Sequence, residues 1–239
     1  MPMYKRIILK LSGEALSPIA EGCGHGCYDP ERVMDAARMI EKLTKLGVEP
    51  GVVLGGGNIW RGRFTCAMNP VNSDQIGMLA TIMNALCRAD ALERSGVTCD
   101  VGTAQEMNRF ARLYTARDAD ATLSAGGVAL LAGGTGHPFF TTDTGAALRA
   151  AELKADAVFK GTTVEGVYDK DPRAHADAKL IEDISYTDCI ERGLHVMDIA
   201  AFQLCMERGV GAIRIFSMDD LDNVIRVAQG EQLGSTVHA

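Results

Sequence analysis

Residues 5–13 read KRIILKLSG. Ile7, Ile8, Leu9 and Leu11 put apolar side chains on both alternating sets of positions, as in a strand covered on both faces, and the run stops at Ser12-Gly13. Asp29-Pro30 then opens a helix, with Asp as N-cap and Pro at the first helical position. Val33, Ala36, Ala37, Ile40 and Leu43 follow at helical spacing, and Gly47 suits the C-terminal cap. The same unit recurs. A strand at 51–54 (GVVL) runs into Gly55-Gly56-Gly57, and a long helix is predicted over 73–95 with Ser73 as N-cap and Gly96 at its end. A strand at 97–101, broken helix over 104–126, and a strand at 127–132 leading into Gly133-Gly134-Thr135-Gly136 come next. Thr142 caps a predicted helix at 143–154, before a strand at 156–160 and an irregular stretch to about 185. Short helices near 186–192 and 198–207, a strand at 211–216 and a closing helix near 219–229 complete the chain. Strand, loop and helix in repetition predict an α/β fold, a three-layer sandwich with a mostly parallel central sheet, in a single domain.

Composition agrees. The chain has 239 residues, 26 of them glycine, with aromatics at only 5%, which suits loops that approach ligands closely. A formal net charge of -7 and the lack of any basic run argue against nucleic acid as a partner. The seven cysteines are odd in number and follow no framework spacing, and no signal peptide precedes the first strand, so reduced thiols in the cytoplasm are expected. No apolar run is long enough to span a membrane. Cys23, His25 and Cys27 fall short of the four ligands of a structural zinc site, so the sequence assigns no protein-held metal and reads that stretch as a flexible loop.

Three glycine-rich loops, at 12–13, 55–57 and 133–136, each follow a strand. In an open parallel sheet all three open on one rim, where ligands bind. Glycines there let backbone N–H groups reach phosphate oxygens. None of the loops fits GxxxxGK[ST] or a GxGxxG that opens a helix. Lys10 interrupts an apolar strand; it either sits on a solvated face or points along the strand end to meet a phosphate. Arg61 is placed to grip phosphate in a fork, or is a surface arginine. Asp143 and Asp74 each stand where a helix is predicted to begin, which the helix dipole alone explains in many proteins; on a phosphate rim, Asp143 would instead orient Lys10 or help hold Mg²⁺.

Six segments, in order along nearly the whole chain, resemble the bacterial UMP kinases of the amino-acid-kinase superfamily: KRIILKLSGEAL (5–16), VLGGGNIWRG (53–62), MLATIMN (78–84), GTGHPFFTTD (134–143), TVEGVYDKD (163–171) and VMDIAAF (196–202). The resemblance implies the amino-acid-kinase (carbamate-kinase-like) fold, with an acceptor-binding part over about 1–140 and an ATP-binding part over about 141–239. It implies phosphoryl transfer from ATP, with Mg²⁺, to UMP. By it Lys10, Leu11, Ser12, Gly13, Gly57, Arg61, Thr162, Tyr168 and Asp171 are ATP contacts, and Lys10, Arg61 and Asp143 form the catalytic set. Gly56, Asp74, Thr135, Gly136, His137, Pro138, Phe139, Phe140, Thr141 and Thr142 are UMP contacts. Asp198 matches a further acid of the active region, and Lys160 adds a positive charge near the phosphates. A homohexamer is also implied.

The chain departs from that pattern at four places. His137 stands where the family usually has Asn, and Glu165 where Asp is common. Residues 17–29 look longer than the usual loop, and Ala89 interrupts the usual Arg-Asp pair between Arg88 and Asp90, so activation by GTP does not carry over. Two other readings stay open: a kinase of this fold with another small anionic acceptor, and a nucleotide binder without transfer.

Overall fold

The computed structural model describes residues 2–13, 27–61, 68–194 and 196–239. Most of the 17–29 loop, including Cys23 and His25, lies outside them, as do Glu14–Leu16 and Gly62 of the motif strings. Strands β1 (Arg6–Leu11), β2 (Glu49–Leu54), β3 (Cys99–Thr103), β4 (Arg112–Leu113), β5 (Val128–Ala132) and β6 (Ala157–Thr162) are parallel neighbours in one sheet. The short strands β7 (Val167–Tyr168) and β8 (Leu180–Ile181) pair antiparallel as a separate ribbon. With β9 (Asp183–Ser185), β10 (Ala212–Ser217) and β11 (Ser235–His238), the main sheet runs β4-β3-β5-β2-β1-β6-β10-β11-β9. Its one antiparallel step is β10 to β11. The central strand β1 is the apolar run the sequence singled out.

Helices α1 (Pro30–Lys45), α2 (Pro70–Arg94), α3 (Ala116–Ser124), α4 (Thr142–Glu152), α5 (Tyr186–Glu191), α6 (Ile199–Arg208) and α7 (Asp222–Ala228) cover the sheet. Side-chain alternation divides the core in two. Ile7, Leu9, Leu11 and Phe159 pack with α1, α2 and α7, whereas Ile8 and Val158 pack with α3, α4 and α6. The sandwich therefore has three layers, as the alternation of strand and helix implied.

Local signals explain the boundaries. Asp29 accepts from the N–H groups of Glu31 and Arg32 ahead of Pro30, as read from sequence. The long helix begins earlier than the expected Ser73: Asn69 caps it, accepting from Val71 N, and Pro70 supplies the first turn, the same Asx-Pro signal as in α1. Asp74 therefore lies beyond the first turn, where the helix dipole gives little reason for an acid. Thr141, not Thr142, caps α4 by accepting from Asp143 N. The stretch 104–126 is helical only from Ala116; before it lie β4 and a bridge between Met107 and Ala111.

Candidate active site

β2, β1 and β5 are adjacent and parallel, so the loops that leave their carboxyl ends meet on one edge. The contact is close. A Cβ on Gly13 would lie 2.5 Å from Gly55 O and 2.9 Å from Gly57 N, so the first two loops touch backbone to backbone. Gly55 N donates to Leu11 O at 2.9 Å. Behind them Asn58 and Asn84 exchange amide hydrogen bonds at 3.1 and 2.7 Å, and Asn84 Nδ2 also donates to Gly55 O at 2.7 Å. The third loop is tied to α2, where Thr81 Oγ1 accepts from Gly133 N at 2.8 Å.

Strand register sets the charged centre. Lys10 and Lys160 are partners across β1 and β6, on the face covered by α4. Two ammonium groups side by side repel. Asp143, in the first turn of α4, lies between them: Lys10 Nζ is 2.9 Å from Oδ1 and Lys160 Nζ 2.5 Å from Oδ2. Lys160 also donates to Val196 O. Burial pushes the Asp143 carboxyl up, but the two lysines outweigh it and hold the group below the usual carboxylate range. Burial brings the Lys160 ammonium down, partly offset by Asp143. Oδ1 holds the Lys10 ammonium at 2.9 Å, and an ammonium has three N–H donors, so one carboxylate oxygen does not use them all. Lys160 thus belongs to this centre; its pairing with Lys10 shows only once β1 and β6 are known to be neighbours.

Asp198 also turns toward α4. It precedes α6 but makes no cap there; its Oδ2 accepts from Thr141 Oγ1 and, at 2.7 Å, from Thr144 Oγ1. The start of α4 is thus tied to β1 and β6 through Asp143 and to the residue before α6 through Thr141 and Thr144.

Beside this centre lies an open cleft between the start of α2 and the loop that follows β5. Of the residues expected to face the acceptor, Gly56, Asp74, Thr135, His137, Phe140, Thr141 and Thr142 line it. Gly136, Pro138 and Phe139 do not, and Phe139 is 74% exposed. Trp60, Met78 and Ser73 also line it without having been singled out for it, and Trp60 Nε1 donates to Ser73 Oγ at 3.2 Å. An apolar wall on α2 reads as core from spacing alone.

Arg61 is exposed just past the second glycine loop, its Nε donating to Gly57 O at 3.0 Å. Thr162 ends β6 and Tyr168 and Asp171 follow it in the chain; none of the three lines the cleft. Tyr168 Oη donates to Glu165 at 3.1 Å, and Asp171 Oδ1 accepts from Arg173 N at 2.9 Å. Thr162 O accepts from Met218 N at 2.8 Å. No three acids, histidines or cysteines cluster as a metal cage among the described residues.

Residues 5–217 match the model of the amino acid kinase family. The chain is similar to two solved structures at 32% identity and a TM-score of 0.91, the UMP kinases of Bacillus anthracis and Ureaplasma parvum. The first alignment covers 100% of this chain and 97% of the other, and the second 98% and 99%. A uridylate kinase of Archaeoglobus fulgidus shares the fold, with a TM-score of 0.73 at 24% identity over 99% of this chain and 100% of the other. The chain belongs to the amino acid kinase family, on the branch that holds the UMP kinases.

Proposed function

We propose that this protein transfers the γ-phosphoryl group of ATP to UMP, giving ADP and UDP. The observation that carries the reading is the Lys10–Asp143–Lys160 cluster, whose Asp143 follows Thr142 on the wall of a cleft that Gly56 and Gly134 of two glycine loops also line. A UMP phosphate has its second pKa at about 6, so near neutral pH it is already an ionised nucleophile and needs no strong base. The obstacle is bringing two polyanions together in line. Lys10 is positioned by Asp143 to bridge donor and acceptor oxygens, and Lys160 adds positive charge from the neighbouring strand. N–H groups of Ser12, Gly13 and Gly57 receive the ATP phosphates beside Leu11, and Arg61 swings from Gly57 O onto phosphate. Thr162, Tyr168 and Asp171 hold the adenosine end.

UMP occupies the cleft, its phosphate toward Gly56 and Thr142 and its nucleoside along Asp74, Thr135, His137, Phe140 and Thr141. The acceptor part is residues 1–140 and the ATP part 141–239. Magnesium enters with ATP, as part of the substrate. Both Asp143 oxygens face ammonium groups and Asp198 is engaged by two threonines, so the ion's ligands are chiefly phosphate oxygens and water. The enzyme acts in the cytoplasm: Cys27, Cys87, Cys99, Cys189 and Cys205 are free thiols, and no described helix is long and apolar enough to cross a membrane. It assembles as a homohexamer, for which exposed Leu79 and Met83 on α2 offer an apolar face.

The test is ADP release with UMP, CMP, dUMP and small carboxylates as acceptors, for the wild type and Lys10→Ala. UMP is expected to be the preferred acceptor. Lys10→Ala should lower turnover by about two to three orders of magnitude while UMP still binds. Near-normal turnover in that variant would remove the mechanism, and preference for another acceptor would remove the substrate.

A further inference from the structure

The loop between β5 and α4 is held by several separate elements. Gly133 N donates to Thr81 of α2, and Gly134 O accepts from Arg149 of α4 at 3.3 Å. Farther along, the backbone turns through the left-handed region at Gly136 (φ 82) and again at Phe139 (φ 71). For a bulky residue such as Phe139 that region is strained, because its Cβ crowds the backbone. The Phe139 side chain is mostly in solvent, so packing does not hold it there. Two hydrogen bonds flank the strained stretch. Gln105 Nε2 donates to Gly136 O at 2.8 Å, and Phe139 N donates to Asp74 Oδ2 at 2.7 Å.

Gln105 is itself well placed. It follows β3, where the buried Thr103 hydroxyl donates to Gln105 O at 2.5 Å and Ala104 N donates to Ala132 O at 3.1 Å. The lack of a Cβ on Gly136 lets the loop close on Ala104, since one there would stand 3.2 Å from Ala104 Cβ. Between the two hydrogen bonds, His137 N donates to Thr135 Oγ1 at 3.2 Å. The backbone amide of His137 is thus engaged inside the loop, and His137 is one of the residues that line the cleft.

We infer that Gln105, which does not line the cleft, is a positioning residue for acceptor binding: with Asp74 it pins the strained 135–139 stretch so that His137 and Phe140 face the acceptor. The inference rests on the acceptor reading of this cleft. Without the Gln105 hold, Phe139 relaxes toward the extended region and the loop spends part of its time outside the binding arrangement. Apparent acceptor affinity falls by the fraction lost. The ion pairs of Lys10, Asp143 and Lys160 do not involve Gln105, whose side chain bonds Gly136 O, so the ATP side is expected to be unaffected.

The experiment compares wild type, Gln105→Ala, and Gln105→Ala combined with Phe139→Gly, by amide hydrogen exchange across 135–139 and by steady-state kinetics. Gln105→Ala is expected to speed exchange in that segment. It should raise KM for UMP roughly three- to tenfold, leaving kcat and KM for ATP unchanged. Adding Phe139→Gly should recover part of the KM, because glycine takes positive φ without strain. Unchanged exchange in Gln105→Ala overturns the inference whatever the acceptor is. A joint rise of both KM values with a lower melting temperature also overturns it, since that marks general loosening. If UMP is not phosphorylated, the kinetic arm is run with whichever acceptor turns over; faster exchange with a raised KM for that acceptor then keeps the pinning role while the UMP reading fails.

Discussion

At the scale of single residues, two buried charges are treated differently. Asp143 has two ammonium partners, and its removal leaves Lys10 and Lys160 facing each other in a nearly closed site. Asp143→Asn is expected to lower stability by about 3–5 kcal/mol, read by urea denaturation near neutral pH. Because the folded carboxyl titrates below its unfolded value, its stabilisation is fully present above the ordinary carboxylate pKa and fades as pH falls through the depressed one. The gap between wild type and Asp143→Asn should therefore narrow in acid; a gap that stays constant would mean the carboxyl is not held ionised. Arg88 is the opposite case. It is 0% exposed, donates from Nη1 to Val33 O, and leaves Nε and Nη2 without hydrogen-bond partners among the described residues. Burial pulls its guanidinium down to about 10. Arg88→Met keeps much of the volume and removes the unmet donors, so it is expected to stabilise the fold by about 1–3 kcal/mol. A less stable Arg88→Met would show that the guanidinium finds compensation that these contacts omit. Nothing in the packing explains why an arginine stands there.

At the scale of elements, the glycine loops matter through what they let touch. A Cβ on Gly56 would lie 2.9 Å from both Ala80 Cβ and Gly77 O of α2, and neither backbone oxygen nor a helix methyl yields easily. Gly56→Ala should push the second loop off α2, raise KM for the acceptor and cost about 1–3 kcal/mol of stability. Normal acceptor kinetics in that variant would place the acceptor elsewhere. These loops were legible because a strand ending in glycine is a local signal, and β1, β2 and β5 were read from short apolar runs. The start of α2 was misplaced because Ser73 is as good a cap by type as Asn69; Pro70 decides in favour of Asn69. β11 and the ribbon of β7 and β8 were missed for a different reason. They are two to four residues long, and β11 is fixed by distant partners in β10 and β9. The pairing of Lys10 with Lys160 was hidden likewise, because it depends on strand order. Asp74 looked like a dipole residue until the helix start moved four positions upstream, from Ser73 to Asn69, and Phe139 N was found on its carboxylate.

At the scale of the whole molecule, the outer face of α2 is the surface on which the proposed assembly can be tested. The helix runs 25 residues with its start on the cleft, so a partner held along it would sit close to the site. Leu79 and Met83 are one turn apart and 49% and 50% exposed, on a chain whose net charge of -7 otherwise keeps copies apart. Each such side chain, already half covered by its own chain, contributes about 1 kcal/mol more once fully covered. Two of them, counted once from each partner, would add about 4 kcal/mol to the proposed interface. Placing a carboxylate at both positions, as Leu79→Glu with Met83→Glu, forces like charges into that surface and leaves the core side of α2, with Ile82 and Ala85, as it was. Sedimentation velocity should then show a smaller particle than the wild type, with the far-ultraviolet circular dichroism unchanged. An identical sedimentation coefficient for the two proteins would take α2 out of the interface and leave the proposed hexamer to be built through another face.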